Sequence, residues 1–305
     1  MKEPRYLQDL DLIGSTALSS GVGMEKDSMN NAINNLKKNF KLKITNNIWG
    51  NDFSSSNKET KIKELNEILN EDIKALIIAR GGDMLYETLE DINYQKIVDK
   101  KLLVEGYSDP TSLLYILTTI YDYKTIYGFN LKSYDEDTNE VYYKNNISIL
   151  KGNKITQESF DNLSTSKKDF KESGILLGGC IEVLKDLIGT KFDKTNEFIE
   201  KYKDENIIWY FDPYNMDPAS LYRTLKQFSL AGYFKHTNTI LIGKVRHPQD
   251  ESMMTYKDAI NKALNDIENV VMDTNIGHVK PCFTLINGNR YNIEYKNNKI
   301  YLENL

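Results

Sequence analysis

Two cysteines, Cys180 and Cys282, with no CxxC pair and no histidine cluster beside either, exclude a disulfide framework and a structural zinc site. No apolar run approaches the ~20 residues that a membrane-spanning helix needs. The opening Met1-Lys2-Glu3-Pro4-Arg5 lacks the apolar core of a secretion signal, so a cytoplasmic protein that does not enter a membrane is expected. Positive charge is not in excess either. The net charge is -5, which argues against nucleic acid as a partner. Gly81-Gly82 follows a strand pattern, but the spaced glycine fingerprint of a dinucleotide site is missing, and neither a cofactor nor a metal is expected. Only three histidines are available to any histidine-based mechanism.

The chain is nonetheless that of a folded protein, 40% hydrophobic and 27% charged, and its 305 residues exceed the usual size of a single core. Strand and helix signals alternate through the first half. Leu10–Gly14 reads as a strand, Met24–Phe40 as a helix, Leu42–Ile44 as a strand, Thr60–Leu69 as a helix and Ala75–Ala79 as a buried strand; Met84–Leu89 is helical and a short strand lies near Thr125–Tyr127. That rhythm predicts a doubly wound, mainly parallel sheet with helices on both faces. From 132 to 173 the chain is polar and reads as a connector. The second half predicts helices at Ile181–Leu187, Ala219–Leu230 and Tyr256–Ile267, and strands at Ile207–Phe211, Thr239–Ile242 and Val270–Met272. Asn287-Gly288 and Asn297-Asn298 are hairpin signals, so an antiparallel meander closes this second α/β domain. The expected organisation is an N-terminal domain over 1–131, the connector over 132–173 and a C-terminal domain over 174–305.

The most informative segment is Gly106-Tyr107-Ser108-Asp109-Pro110. Leu102-Leu103-Val104 leads in as a strand and Thr111–Leu117 leads out as an apolar helix, with proline where a first turn tolerates it. A serine at such a turn lies beside free amide hydrogens and the positive end of a helix dipole, which favour developing negative charge. Ser108 is thus either a nucleophile or an ordinary helix cap, as is Asp109. Pro110 stands where an α/β-hydrolase elbow needs its second glycine, which disfavours that family. Among the histidines, His236 and His247 fall in polar loops and read as solvated. His278 follows Ile276-Gly277 at a strand end. It reads as functional or as a hydrogen-bonded loop residue. A serine–histidine pair needs a carboxylate to orient the imidazole. Asp212 ends a strand at the same edge, with Asp217 as its competitor and a turn or cap as the plain alternative for each.

Arg80-Gly81-Gly82-Asp83, Gly106–Thr111, Gly178-Gly179-Cys180 with Leu187-Ile188-Gly189-Thr190, and Gly277-His278 occur in an order and spacing that resemble the LD-carboxypeptidase family of serine peptidases. Ile13–Gly21 is also similar to the family's first strand and loop. The resemblance covers nearly the whole chain. It implies a serine–carboxylate–histidine triad divided between domains: Ser108 as nucleophile, His278 as general base and then acid, and Asp212 as the carboxylate. Backbone amides of Gly82, Asp83 and Asp109 are implied for the oxyanion, and Arg246, or Arg80, for the carboxylate of the substrate. The family usually has glutamate where this chain has Asp212. With one methylene fewer, either the backbone approaches His278 more closely or the orienting contact is stretched. The implied substrate is a small peptide ending in a D-amino acid, such as a murein tetrapeptide that loses D-alanine, and a homodimer is implied. The alternatives are a hydrolase of a peptide-nucleotide antibiotic, as in microcin C self-immunity proteins, and a binder of murein peptides with little or no activity.

Overall fold

The computed structural model describes residues 1–165, 169–248 and 254–305, and the chain divides into two compact units, Met1–Asn153 and Lys154–Leu305. The first unit contains β1 (Leu12–Thr16), α1 (Lys26–Leu36), β2 (Lys41–Ile44), α2 (Lys58–Asn70), β3 (Ala75–Ile78), α3 (Tyr94–Asp99), β4 (Leu103–Gly106), α4 (Thr111–Thr119), β5 (Thr125–Tyr127) and α5 (Val141–Leu150). Its five strands are parallel in the order β2-β1-β3-β4-β5. The apolar runs that mark β3 and β4 are buried on both faces, as a sheet covered by helices on either side requires. On α1, Met29, Ala32, Ile33 and Leu36 recur at helical spacing and form the buried stripe. Every residue of α4 is buried, consistent with a helix that is apolar all round.

The second unit contains β6 (Thr156–Glu158), β7 (Ser164–Thr165), β8 (Phe170–Cys180), α6 (Ile181–Leu187), α7 (Thr195–Lys201), β9 (Ile207–Asp212), α8 (Pro218–Leu230), β10 (Thr239–Gly243), α9 (Tyr256–Ala263), β11 (Asn269–Thr274), β12 (Leu285–Asn287), β13 (Arg290–Lys296) and β14 (Lys299–Asn304). Strands β8, β9, β10 and β11 are parallel neighbours, β7 flanks β11 antiparallel, and β13, β14 and β6 continue antiparallel from β8. Trp209 is the centre of the core here, stacked between Phe211 and Tyr233 at 5.4 and 5.9 Å.

Most expected elements form, with ends shifted by a few residues. Three expectations differ. The stretch 132–173 is no bare connector: it carries α5, which buries Tyr142, Tyr143, Ile149 and Leu150, and the chain divides inside it, after Asn153. Strand β8 begins Phe170-Lys171-Glu172-Ser173 and holds three glycines, and the sequence pattern does not mark it as a strand. Asn297-Asn298 does turn a hairpin, both residues at positive φ as a primed turn demands. Asn287-Gly288 instead passes the chain from β12 to β13, whose partners are β8 and β14.

Candidate active site

In the first unit, the loops beyond the carboxyl ends of β1, β3 and β4 converge where the strand order reverses between β1 and β3, the place where open parallel sheets bind ligands. Ser108 follows β4 with φ +68°, a left-handed conformation that costs a non-glycine residue about 1–3 kcal/mol. The Ser108 carbonyl accepts from the Thr111 amide at 2.9 Å, which closes the turn into α4. Gly81 lies against the serine so closely that a Cβ there would stand 2.9 Å from Ser108 Cβ and 3.0 Å from its Oγ. Asp109 is buried, and one carboxylate oxygen accepts from Ser19 Oγ at 2.5 Å and from the Leu85 amide at 2.9 Å. One side chain therefore ties the loop after β1 and the segment after Gly81-Gly82 to the serine turn. Burial pushes the Asp109 carboxyl up to about 6, against the pull of those two donors. The Asn130 side chain clamps Tyr107 from the other side, accepting from its amide and donating to its carbonyl, both at 3.1 Å. The backbone N–H groups of Gly82, Asp83 and Asp109 have no acceptor among the described residues.

In the second unit, the ends of β9 and β11 bring Asp212 and His278 together. Asp212 is fully buried. Its Oδ2 lies 2.8 Å from His278 Nδ1, and its Oδ1 accepts from the His278 backbone amide at 3.3 Å. Both the charge of Asp212 and its hydrogen bond act on the imidazole. The short aspartate reaches the imidazole because the intervening backbone is glycine. Gly277 sits at φ +84°, and a Cβ on it would overlap the carboxyl group of Asp212. Of the two routes open to a shortened carboxylate, close backbone approach is the one taken. Burial, the strongest single influence on His278, lowers its pKa, but the Asp212 charge and contact, aided by Glu182, outweigh burial and hold it above the ordinary value; Arg246 pulls it down.

The chain matches the LD-carboxypeptidase N-terminal domain over residues 13–128 and the LD-carboxypeptidase C-terminal domain over residues 173–293. It belongs to the LD-carboxypeptidase family. A protein of Rickettsia conorii, provisionally named a carboxypeptidase, is 24% identical over 68% of this chain, which spans 64% of that relative's length. YocD of Bacillus subtilis, also provisionally named a carboxypeptidase, is 24% identical over 80% of each chain. Among solved structures, microcin C7 self immunity protein MccF in complex with aspartyl sulfamoyl adenosine superimposes with a TM-score of 0.83 at 20% identity, over 99% of this chain and 98% of that one. The muramoyltetrapeptide carboxypeptidase of Oxalobacter formigenes gives 0.81 at 19%, over 96% and 98%. These likenesses establish the fold.

Other residues of this LD-carboxypeptidase family member stand where the sequence did not point. The Tyr214 ring packs on His278 at a centroid distance of 4.4 Å and meets His247 edge to face at 5.1 Å. His247 is exposed, as a solvated histidine should be, yet it shares a ring partner with His278. Glu182 accepts from the amides of Tyr214 and Asn215, both at 2.9 Å, and so fixes the loop that carries the tyrosine. Glu182 follows the Gly178-Gly179-Cys180 motif by two residues, a signal that was available; Tyr214 offered none beyond its nearness to Asp212. Arg246 is exposed and near enough to act on the His278 charge. Arg80 donates to the Gly21 carbonyl at 3.0 Å and pairs with Glu25 at 3.2 Å, so it braces the loop after β1. Asp217 caps α8, accepting from the Ser220 amide at 2.9 Å, which removes it from competition with Asp212. His236 lies 4.0 Å from Glu200 on the surface.

Proposed function

We propose that this protein is a serine-type LD-carboxypeptidase that releases a terminal D-amino acid, D-alanine above all, from a murein tetrapeptide. The observation that carries the reading is the Asp212–His278 pair, a fully buried carboxylate 2.8 Å from an imidazole nitrogen, in a chain that matches both LD-carboxypeptidase domains and holds Ser108 at a left-handed turn. In this reading Ser108 Oγ attacks the amide carbonyl while His278 Nε2 takes the hydroxyl proton. Asp212 holds Nδ1 and stabilises the imidazolium as it forms. The oxyanion is received by the backbone N–H groups of Gly82 or Asp83 and of Asp109, which have no acceptor among the described residues. His278 then protonates the leaving D-amino acid, and water repeats the sequence on the acyl-enzyme. Arg246, exposed and charged beside His278, is the cation proposed for the substrate's terminal carboxylate.

A second reading, hydrolysis of a peptide-nucleotide antibiotic, is favoured by one feature: Tyr214 is 39% exposed and packs on His278, so an aromatic face that could stack on a base stands beside the histidine. The experiment that separates them is amino-acid release from purified murein tetrapeptide and from an aminoacyl sulfamoyl adenylate, by wild type and Ser108→Ala, with and without chelator. D-Alanine release that survives chelator and vanishes in the serine variant supports the peptidase. Cleavage of the adenylate alone supports the second reading.

A further inference from the structure

Glu105 lies in β4, three residues before Ser108. It is fully buried with Tyr134 and Asn146. Its Oε1 accepts from the Phe129 amide at 2.8 Å and from Asn146 Nδ2 at 2.5 Å, while Oε2 lies 2.6 Å from Tyr134 Oη. Tyr134 Oη is also 2.8 Å from Asn146 Oδ1. The tyrosine has one proton to place. With an ionised Glu105, that proton serves either Oε2 or Asn146 Oδ1, and the other short O···O contact is left with no proton between its atoms. Turning the amide over moves the fault without curing it, because the amide oxygen then faces Oε1. A proton on Oε2 resolves every contact. Glu105 donates to Tyr134, Tyr134 donates to Asn146, and Asn146 donates back to Oε1, a closed ring. Among the described residues, the titratable groups facing Glu105 are Tyr134 and Tyr143, both phenols, and no cation acts on it. Burial pushes its carboxyl up to about 7, against the donors around it.

We propose that Glu105 works as a neutral carboxylic acid and is a positioning residue for the serine turn. The chain of contacts is short. Glu105 holds the Phe129 amide, the next residue Asn130 clamps both backbone groups of Tyr107, and Tyr107 is bonded to Ser108. Ionisation of Glu105 opens the ring, loosens the 129–134 segment and releases the clamp. For the catalytic consequence this rests on the reading of Ser108 as nucleophile; the positioning itself does not.

The test is amide hydrogen exchange in peptides covering 103–110 and 127–134, for wild type and Glu105→Gln, corrected for intrinsic rates at each pH. Glutamine reproduces the protonated acid, with Oε1 accepting and Nε2–H donating to Tyr134. A carboxyl of pKa about 7 in the closed state and 4.5 in the open one raises the opening equilibrium about tenfold between pH 6 and pH 8.5. The ratio of wild-type to Glu105→Gln exchange should therefore rise about tenfold between pH 6 and pH 8.5, in both peptides. Equal exchange at both pH values overturns the proposal, as does acceleration confined to 127–134. Labelling of Ser108 by a fluorophosphonate is run in parallel on both proteins. Absence of labelling in both proteins at every pH refutes the nucleophile reading, while the exchange result still decides the positioning.

Discussion

Replacing Gly277 with alanine tests whether close backbone approach is what lets an aspartate serve as the orienting carboxylate. Two costs follow from the geometry. A Cβ-bearing residue at φ +84° costs about 1–2 kcal/mol. The new methyl group overlaps the Asp212 carboxyl, which must retreat by roughly an ångström or more, a displacement that can cost on the order of a hundredfold in rate. Gly277→Ala should thus lower kcat for D-alanine release about a hundredfold, with a stability loss of about 1–2 kcal/mol by urea unfolding. The effect should run through Asp212. In an Asp212→Ala background, adding Gly277→Ala should change kcat by less than about threefold, because the contact it disturbs is already gone. A folded Gly277→Ala enzyme that keeps kcat within threefold of wild type would refute the argument, as would full additivity in the double variant.

Asp212→Glu should be slower than wild type by about tenfold or more, since the aspartate already reaches Nδ1 and the extra methylene has to fit against Gly277; equal or faster release would show that the carboxylate site has slack. The rate of the free enzyme, kcat/KM, should rise with pH as the His278 imidazolium loses its proton, with an inflection above the ordinary histidine value; in Asp212→Asn the inflection should fall below that value, because burial remains and the carboxylate does not. The same raised pKa means that the His278 contribution to stability is present below pH ~6.5 and is lost as pH climbs through the folded-state value, a loss that melting curves of wild type and Asp212→Asn should separate. Asp109→Asn keeps an oxygen for Ser19 and Leu85 and removes a buried charge. It should be more stable than wild type at pH 8 by up to about 3 kcal/mol and equal to it near pH 4, because a carboxyl raised from 3.8 to about 6 loses stability as pH rises between those values.

Parts of the first unit were legible where a strand is a continuous apolar run or a helix carries a single buried stripe, so that local pattern and tertiary role agree. Ala75–Ile78 and α1 are of that kind. What could not be read depends on partners distant in sequence. Strand β8 mixes charged residues with three glycines, and its identity comes from pairing with β9 and β13. Helix α5 was hidden in polar sequence because half its circumference faces water. At the site, the serine, the histidine and the aspartate carried signals in their own neighbourhoods, glycine or proline beside a strand end. Glu105, Asn130 and Tyr214 did not. A glutamate in an apolar strand looks like an interruption until Tyr134 and Asn146, which lie 29 and 41 residues further on, are seen to close a ring with it. Asn130 and Tyr214 likewise look like ordinary loop residues until the chain folds their partners onto them.

The left-handed backbone at position 108 restricts what descent can do with this enzyme. Threonine offers the same hydroxyl and is one nucleotide change from many serine codons, yet a second substituent on Cβ makes positive φ far costlier, so that mutational route is closed even though the chemistry would survive it. Cysteine, unbranched and close to serine in size, meets no such barrier. If Ser108 is the nucleophile, lineages that exchange it should therefore arrive at a thiol and never at threonine.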